Sequence, residues 1–214
     1  SLSGVRCGLQ ERWPSSGRLG ILGGTFDPIH LGHLIAAEEV RVRLSLQQVI
    51  FVPAWVSPLK LGHRAAAPEC RLRMVESAIQ DNPYFGVSRI ELDREGPSFT
   101  VDTLSAIREA CGADVELFFI LGADSLSSLK AWRRPQDILR LARLVAVSRP
   151  TYDIDLHALE QDLPGISQAT DLVTTVEIGI SATDIRARVA QGLSIRYLVP
   201  PAVEAYILDH HLYR

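Results

Sequence analysis

Short apolar runs alternate along the chain with stretches whose apolar positions recur every three or four residues. The runs RLGILGG at 18–24, QVIFVPA at 48–54, FGVSRIEL at 85–92, VELFFILG at 115–122, RLVAVSR at 143–149 and LVTTVEI at 172–178 read as strands, because each is short and apolar on one or both faces. Helical spacing between and after them predicts helices at about 32–45, 69–81, 100–111, 135–141, 182–191 and 201–211, several opened by Ser, Thr or Pro. No repeat period, low-complexity block or long linker divides the chain.

Strands alternating with crossover helices predict an α/β fold with a doubly wound, Rossmann-like parallel sheet. Right-handed βαβ connections cover both sheet faces with helices and gather ligands at the strands' carboxyl ends. The first predicted strand ends at Gly23 and Gly24, so the residues that follow are the first place to look for chemistry.

Composition narrows what that chemistry concerns. A chain of 214 residues suits one domain, taken here as 18–214. The first 17 residues, SLSGVRCGLQERWPSSG, lack an apolar signal core and read as a flexible extension. A net charge of -3 and a pI near 6.1 argue against broad capture of nucleic acid or of an anionic membrane, since either needs a basic face. The partner is expected to be small. Cys7, Cys70 and Cys111 are too scattered for a disulfide framework or a CxxC metal site, which fits a reducing cytoplasm. No apolar run reaches the length of a membrane span.

The stretch GILGGTFDPIHLGHLIAAEEV at 20–40 turns from strand to helix across a glycine pair and two histidines. Helix N-termini present unpaired N–H groups and partial positive charge, so an anion, phosphate first, is the expected guest. His30 and His33 are spaced so that both rings can face one spot, and Gly32 leaves that spot open. Zinc would need a third ligand, and only Asp27 is at hand. A second stretch, ISATDIR at 180–186, puts Ser181 or Thr183 at a helix start with Arg186 one turn on from Thr183. VPAWVSPLK at 52–60 carries Lys60 past the second strand, and REGPSFTVDTL at 94–104 offers Ser98 or Thr100 as a cap with Asp102 in the first turn. ILGADSL at 120–126 brings Asp124 to a strand's end, and Trp132 follows it beside Arg133 and Arg134.

GGTFDPIHLGH resembles the HxGH signature of the nucleotidylyltransferase superfamily, in the form found in bacterial nicotinate-nucleotide adenylyltransferases. ISATDIR resembles the ISSTxIR signature with Ala182 in place of a serine, and Pro53, Pro58 and Lys60 resemble a PxxxPxK loop with one more residue between the prolines and with Leu59 where histidine is frequent. The resemblance runs from residue 20 to RYLVPPAVEAYI at 196–207. It implies adenylyl transfer from ATP to nicotinate mononucleotide, giving nicotinate adenine dinucleotide and pyrophosphate, with Mg²⁺ accompanying ATP. By the same resemblance His30, His33, Lys60 and Arg186 are the catalytic groups. ATP would meet Gly23, Gly24, Thr25, Phe26, His30, His33, Gly122, Asp124, Ile180, Ser181, Thr183 and Arg186, whereas the mononucleotide would meet Lys60, Ser98, Phe99, Thr100, Asp102 and Trp132. The competing readings are a superfamily member acting on pantetheine phosphate or nicotinamide mononucleotide, and a regulator that binds nucleotide without turnover. The sequence leaves a homo-oligomer open.

Overall fold

A computed structural model describes the protein at residues 13–55, 65–94, 96–148, 154–176 and 178–214. Strands β1 (Gly17–Gly24), β2 (Gln48–Pro53), β3 (Phe85–Val87), β4 (Val115–Gly122), β5 (Arg143–Ser148) and β6 (Thr170–Thr174) form one sheet in the order β3-β2-β1-β4-β5-β6. Every strand pair is parallel. The chain therefore works outward from β1 to one edge, returns past it, and continues to the other edge.

Period-2 alternation sends successive side chains to two cores. Phe51, Phe118, Ile120 and Val145 face one side, where α1 (Leu31–Arg43), α2 (Pro68–Ile79), α8 (Ala182–Ala190) and α9 (Pro201–Asp209) supply Val40, Met74, Ile185 and Val203. Leu19, Ile50, Leu117, Phe119 and Leu144 face the other, against Val101 and Leu104 of α3 (Thr100–Cys111) and Ile138 of α5 (Pro135–Leu141). This is the doubly wound arrangement that the alternating pattern predicts.

The differences are local. The run expected as a strand over 85–92 is a strand only at Phe85–Val87, because the Ser88 N–H makes its bond to Phe51 O and the chain then turns, with Asp93 N–H bonded to Arg89 O. The last strand lies at Thr170–Thr174 rather than 172–178, in register with Leu144–Ser148, and the residues after it leave the sheet. Three short helices, α4 (Ala123–Ser127), α6 (Leu156–Asp162) and α7 (Ile166–Ala169), lie outside the predicted elements. Helix α6 buries none of its residues, and its N-cap Asp155 accepts the Ala158 N–H at 2.9 Å. β1 begins at Gly17 and Trp13 packs on the second core, both within the stretch read as an extension; residues 1–12 lie outside the described residues.

Phe118 is 0 % exposed at the centre of the first core. Phe118→Ala should destabilise the protein by about 3–5 kcal/mol, read as a lower urea midpoint, because the cavity can close only partly. A midpoint unchanged within error would contradict the packing described.

Candidate active site

β1 lies between β2 and β4, and the chain leaves it in opposite directions across the two halves of the sheet. Loops at such a reversal diverge and leave a crevice at the carboxyl ends. A cleft of about 300 Å³ occupies it, with apolar walls from Leu22, Ile35, Ile120, Val147, Val176 and Ile178. Its polar groups come from His30, His33, Asp124, Ser148 and Thr175, and Gly32, Ala36, Leu121, Gly122 and Ile180 complete the lining. A small apolar slot with a few convergent polar groups is what a nucleotide base and its phosphates require.

The β1–α1 turn is braced from beneath by distant parts of the chain. Gly23 and Gly24 close β1, and the Phe26 ring turns inward, 2 % exposed and edge-on to His33 at 5.1 Å. Phe26 thus reaches a ligand only through its backbone. Arg71 of α2, fully buried, donates to the carbonyls of Thr25 at 2.6 Å and Ala66 at 3.2 Å. The Asp27 carboxylate, 5 % exposed, accepts the Ala66 N–H at 3.0 Å and the Tyr213 hydroxyl at 2.6 Å through Oδ1. Burial and the Asp27 carboxylate push the Tyr213 hydroxyl far above its ordinary value, so it remains a donor. Arg186 reaches across from α8 to donate to Asp27 O at 2.7 Å.

The histidine pair crowns this turn. His30 is the N-cap of α1, and its ring stacks on His33 at 3.8 Å between centroids, 28° from parallel. A Cβ on Gly32 would lie 3.0 Å from His30 Nδ1 and Cε1, so the glycine is what admits the His30 ring. The His30 backbone N–H donates to His33 Nδ1 at 3.2 Å. With Nδ1 accepting, the proton of a neutral His33 resides on Nε2 and is available as a donor. Burial lowers His30 from 6.5 to about 4, and burial together with neighbouring His30 lowers His33 from 6.5 to about 3. Both rings are neutral before a ligand arrives.

On α8 it is Ser181 that caps, accepting the Asp184 N–H at 3.1 Å, while Thr183 Oγ1 accepts from Arg186 Nη2 at 3.3 Å. The two anion motifs meet at Arg186. Across the cleft, a Cβ on Gly122 would lie 2.6 Å from Asp124 Oδ1, so glycine there lets the exposed Asp124 carboxylate fold back over the end of β4.

The other set of predicted residues gathers beside the end of β4. Phe99, rather than Ser98 or Thr100, is the N-cap of α3 and makes no side-chain cap bond; Thr100 opens the helix. Arg133 lies over the Phe99 ring at 4.6 Å and 4.0 Å from the Asp102 carboxylate, joining the 98–102 segment to Trp132. Trp132 packs edge-on to Phe119 at 6.2 Å and donates through Nε1 to Ser128 at 3.2 Å. Lys60 lies outside the described residues. Among the described residues no three His, Cys, Asp or Glu side chains gather where a metal ion could be held.

Sequence reasoning did not find Arg71 or Tyr213. A charge at position 71 on the apolar side of α2, among Leu72, Met74 and Val75, was the available signal for the first. Nothing local marks Tyr213.

A cytidylyltransferase-like family model matches residues 21–188. A Roseiflexus sp. (strain RS-1) protein named "Probable nicotinate-nucleotide adenylyltransferase" is 52 % identical over 200 residues, covering 94 % of this chain and 100 % of that protein. The chain belongs to the nicotinate-nucleotide adenylyltransferase family. A second member of that family, from Dehalococcoides mccartyi (strain CBDB1), is 45 % identical over 92 % of this chain and 97 % of its own. The fold is shared with the solved Plasmodium falciparum nicotinic acid mononucleotide adenylyltransferase complexed with NaAD, at a TM-score of 0.75 and 18 % identity over 92 % of this chain and 97 % of that one.

In this family member the neutral histidine pair has a cost in acid. The unfolded chain takes up protons near pH 6.5, whereas the folded rings wait until about 4 and 3. The unfolded state therefore binds more protons in that window, and the stability that the pair provides above pH 6.5 is lost as pH falls toward 4. Urea unfolding across that window should show a falling free energy, with a shallower slope in His33→Asn; parallel slopes would refute the assignment.

Proposed function

We propose that the chain transfers the adenylyl group of ATP to the 5′-phosphate of nicotinate mononucleotide, forming nicotinate adenine dinucleotide (NaAD) and pyrophosphate. The observation that carries the reading is the stacked His30–His33 pair at the mouth of the cleft, on a helix N-terminus and joined through Asp27 to Arg186. Family membership supports the choice of substrates.

A phosphate oxygen of the mononucleotide attacks the α-phosphorus of ATP in line. The bond to the bridging oxygen breaks and its electrons leave with pyrophosphate, so no covalent enzyme intermediate is needed. What the protein contributes is position and preplaced donors. His33 Nε2–H points a donor at the α-phosphoryl oxygens, and His30 supports it. Bringing polyphosphate beside these rings raises their proton affinity, opposing the burial that keeps them neutral in the free protein. Thr183 and Arg186 hold the outer phosphates, and Lys60 is expected to meet phosphate as well. Asp124 takes a ribose hydroxyl, while Trp132, with the 98–102 segment, covers the pyridine ring. Mg²⁺ on the triphosphate would supply charge neutralisation, and its ligands would be phosphate oxygens and water, since it dehydrates reluctantly.

Pyrophosphate release should require ATP and nicotinate mononucleotide together. Faster release with nicotinamide mononucleotide or pantetheine phosphate would give the function to a competing substrate, and ATP binding without release from any would mark a regulator. His33→Ala should lower kcat by about 10²–10³, the usual loss for one preplaced donor. Near-normal turnover would remove His33 from the mechanism.

Trp132→Ala should raise KM for nicotinate mononucleotide by about twofold to thirty-fold, equivalent to about 0.5–2 kcal/mol of stacking on an electron-poor ring, and leave KM for ATP unchanged. Trp132→Phe should recover part of the loss. Two unaltered KM values in the Ala variant would leave Trp132 as a packing residue against Phe119.

A further inference from the structure

We propose that Tyr213 is a positioning residue for nucleotide binding: by holding the Asp27 carboxylate, its hydroxyl keeps Arg186 available to the phosphates of ATP. The inference rests on the adenylyl-transfer reading and adds to it a residue outside every motif of the sequence.

The geometry around Asp27 is asymmetric. Both conventional donors, the Tyr213 hydroxyl at 2.6 Å and the Ala66 N–H at 3.0 Å, converge on Oδ1. Oδ2 lies 3.9 Å from Arg186 Nη1, too far for a hydrogen bond although the charges are opposite and the Arg186 side chain is only 19 % exposed. An arginine this near an unrestrained carboxylate closes into a two-pronged pair, the strongest arrangement the two groups have. Here it has not closed. The guanidinium is held instead by neutral acceptors, Asp27 O at 2.7 Å and Thr183 Oγ1 at 3.3 Å.

That difference decides what Arg186 can do next. A bond from guanidinium to a hydroxyl gives way to a phosphate oxygen, because the charged acceptor makes the stronger bond. A two-pronged bond to a buried carboxylate would compete with the phosphate on equal terms. Tyr213 thus acts through Asp27, and the Tyr213 ring packs separately against the first core. Tyr213→Phe removes the hydroxyl and keeps that packing.

The test is ATP binding by titration calorimetry on the full chain, beside steady-state kinetics with both substrates. Tyr213→Phe should weaken ATP binding and raise its KM about tenfold, with KM for the mononucleotide within about twofold. A purely structural loss would reduce the folded fraction, lowering kcat and leaving both KM values alone, and would refute the proposal. In an Arg186→Ala background the same substitution should add less than about twofold to the ATP constant; a full additional tenfold loss would refute action through Arg186. Because calorimetry does not need turnover, the outcomes separate. ATP binding that Tyr213→Phe weakens, without release of pyrophosphate, would overturn the reaction and keep the positioning role. ATP binding unchanged in Tyr213→Phe overturns the positioning role alone. No ATP binding by the unaltered chain overturns both.

Discussion

A carboxyl group buried beneath a ligand-binding turn must be bonded, because an unpaired buried polar group costs more than most single contacts return. Asp27 meets that constraint with partners from remote parts of the chain: the N–H of Ala66 just before α2, the hydroxyl of Tyr213 beyond α9, and, through its backbone carbonyl, Arg186 of α8. Arg71 adds a buried bond to Thr25, the first residue past β1. The turn that carries the histidines is therefore fixed by the helix layer on one sheet face, and its shape cannot drift without disturbing α2, α8 and the segment after α9 together.

Much of the fold was readable because burial on both faces leaves a strong mark. β4 and α3 fall where their apolar runs and spacing place them, and a parallel sheet follows from the alternation alone. The β3 run misled because Ile90 and Leu92 continue an apolar pattern while the backbone turns to bury Glu91 against Thr103 at 2.8 Å. α6 is short and none of its residues is fully buried, although Leu156 and Leu159 pack against the second core and Asp155 caps it. For the site, His30, His33, Asp124, Ser181, Thr183 and Arg186 were marked by motif. Their braces were not, since a contact between Tyr213 and Asp27 has no sequence spacing to betray it.

In the proposed reaction the histidine pair would serve a charged ligand without being charged beforehand. Stacked, with His30 buried and His33 half-buried, the two rings cannot both carry protons cheaply in the free protein. The backbone N–H of His30 settles the question of orientation by occupying His33 Nδ1, which leaves a directed N–H on the other ring nitrogen even in the neutral form. Donor geometry is thus present in the free protein, and in the proposed reaction full positive charge would wait for a polyphosphate to make it favourable.

The sequence distances inside the brace carry a further consequence. Arg186 and Tyr213 lie 159 and 186 residues from Asp27. Pairing of β1 with β2 and β4 alone therefore leaves out the contacts that brace the turn beneath the histidines. Loop closure over such separations is entropically costly and slow. The native geometry of the turn accordingly depends on some of the most non-local contacts of the fold and is exposed to loss when either distant segment detaches.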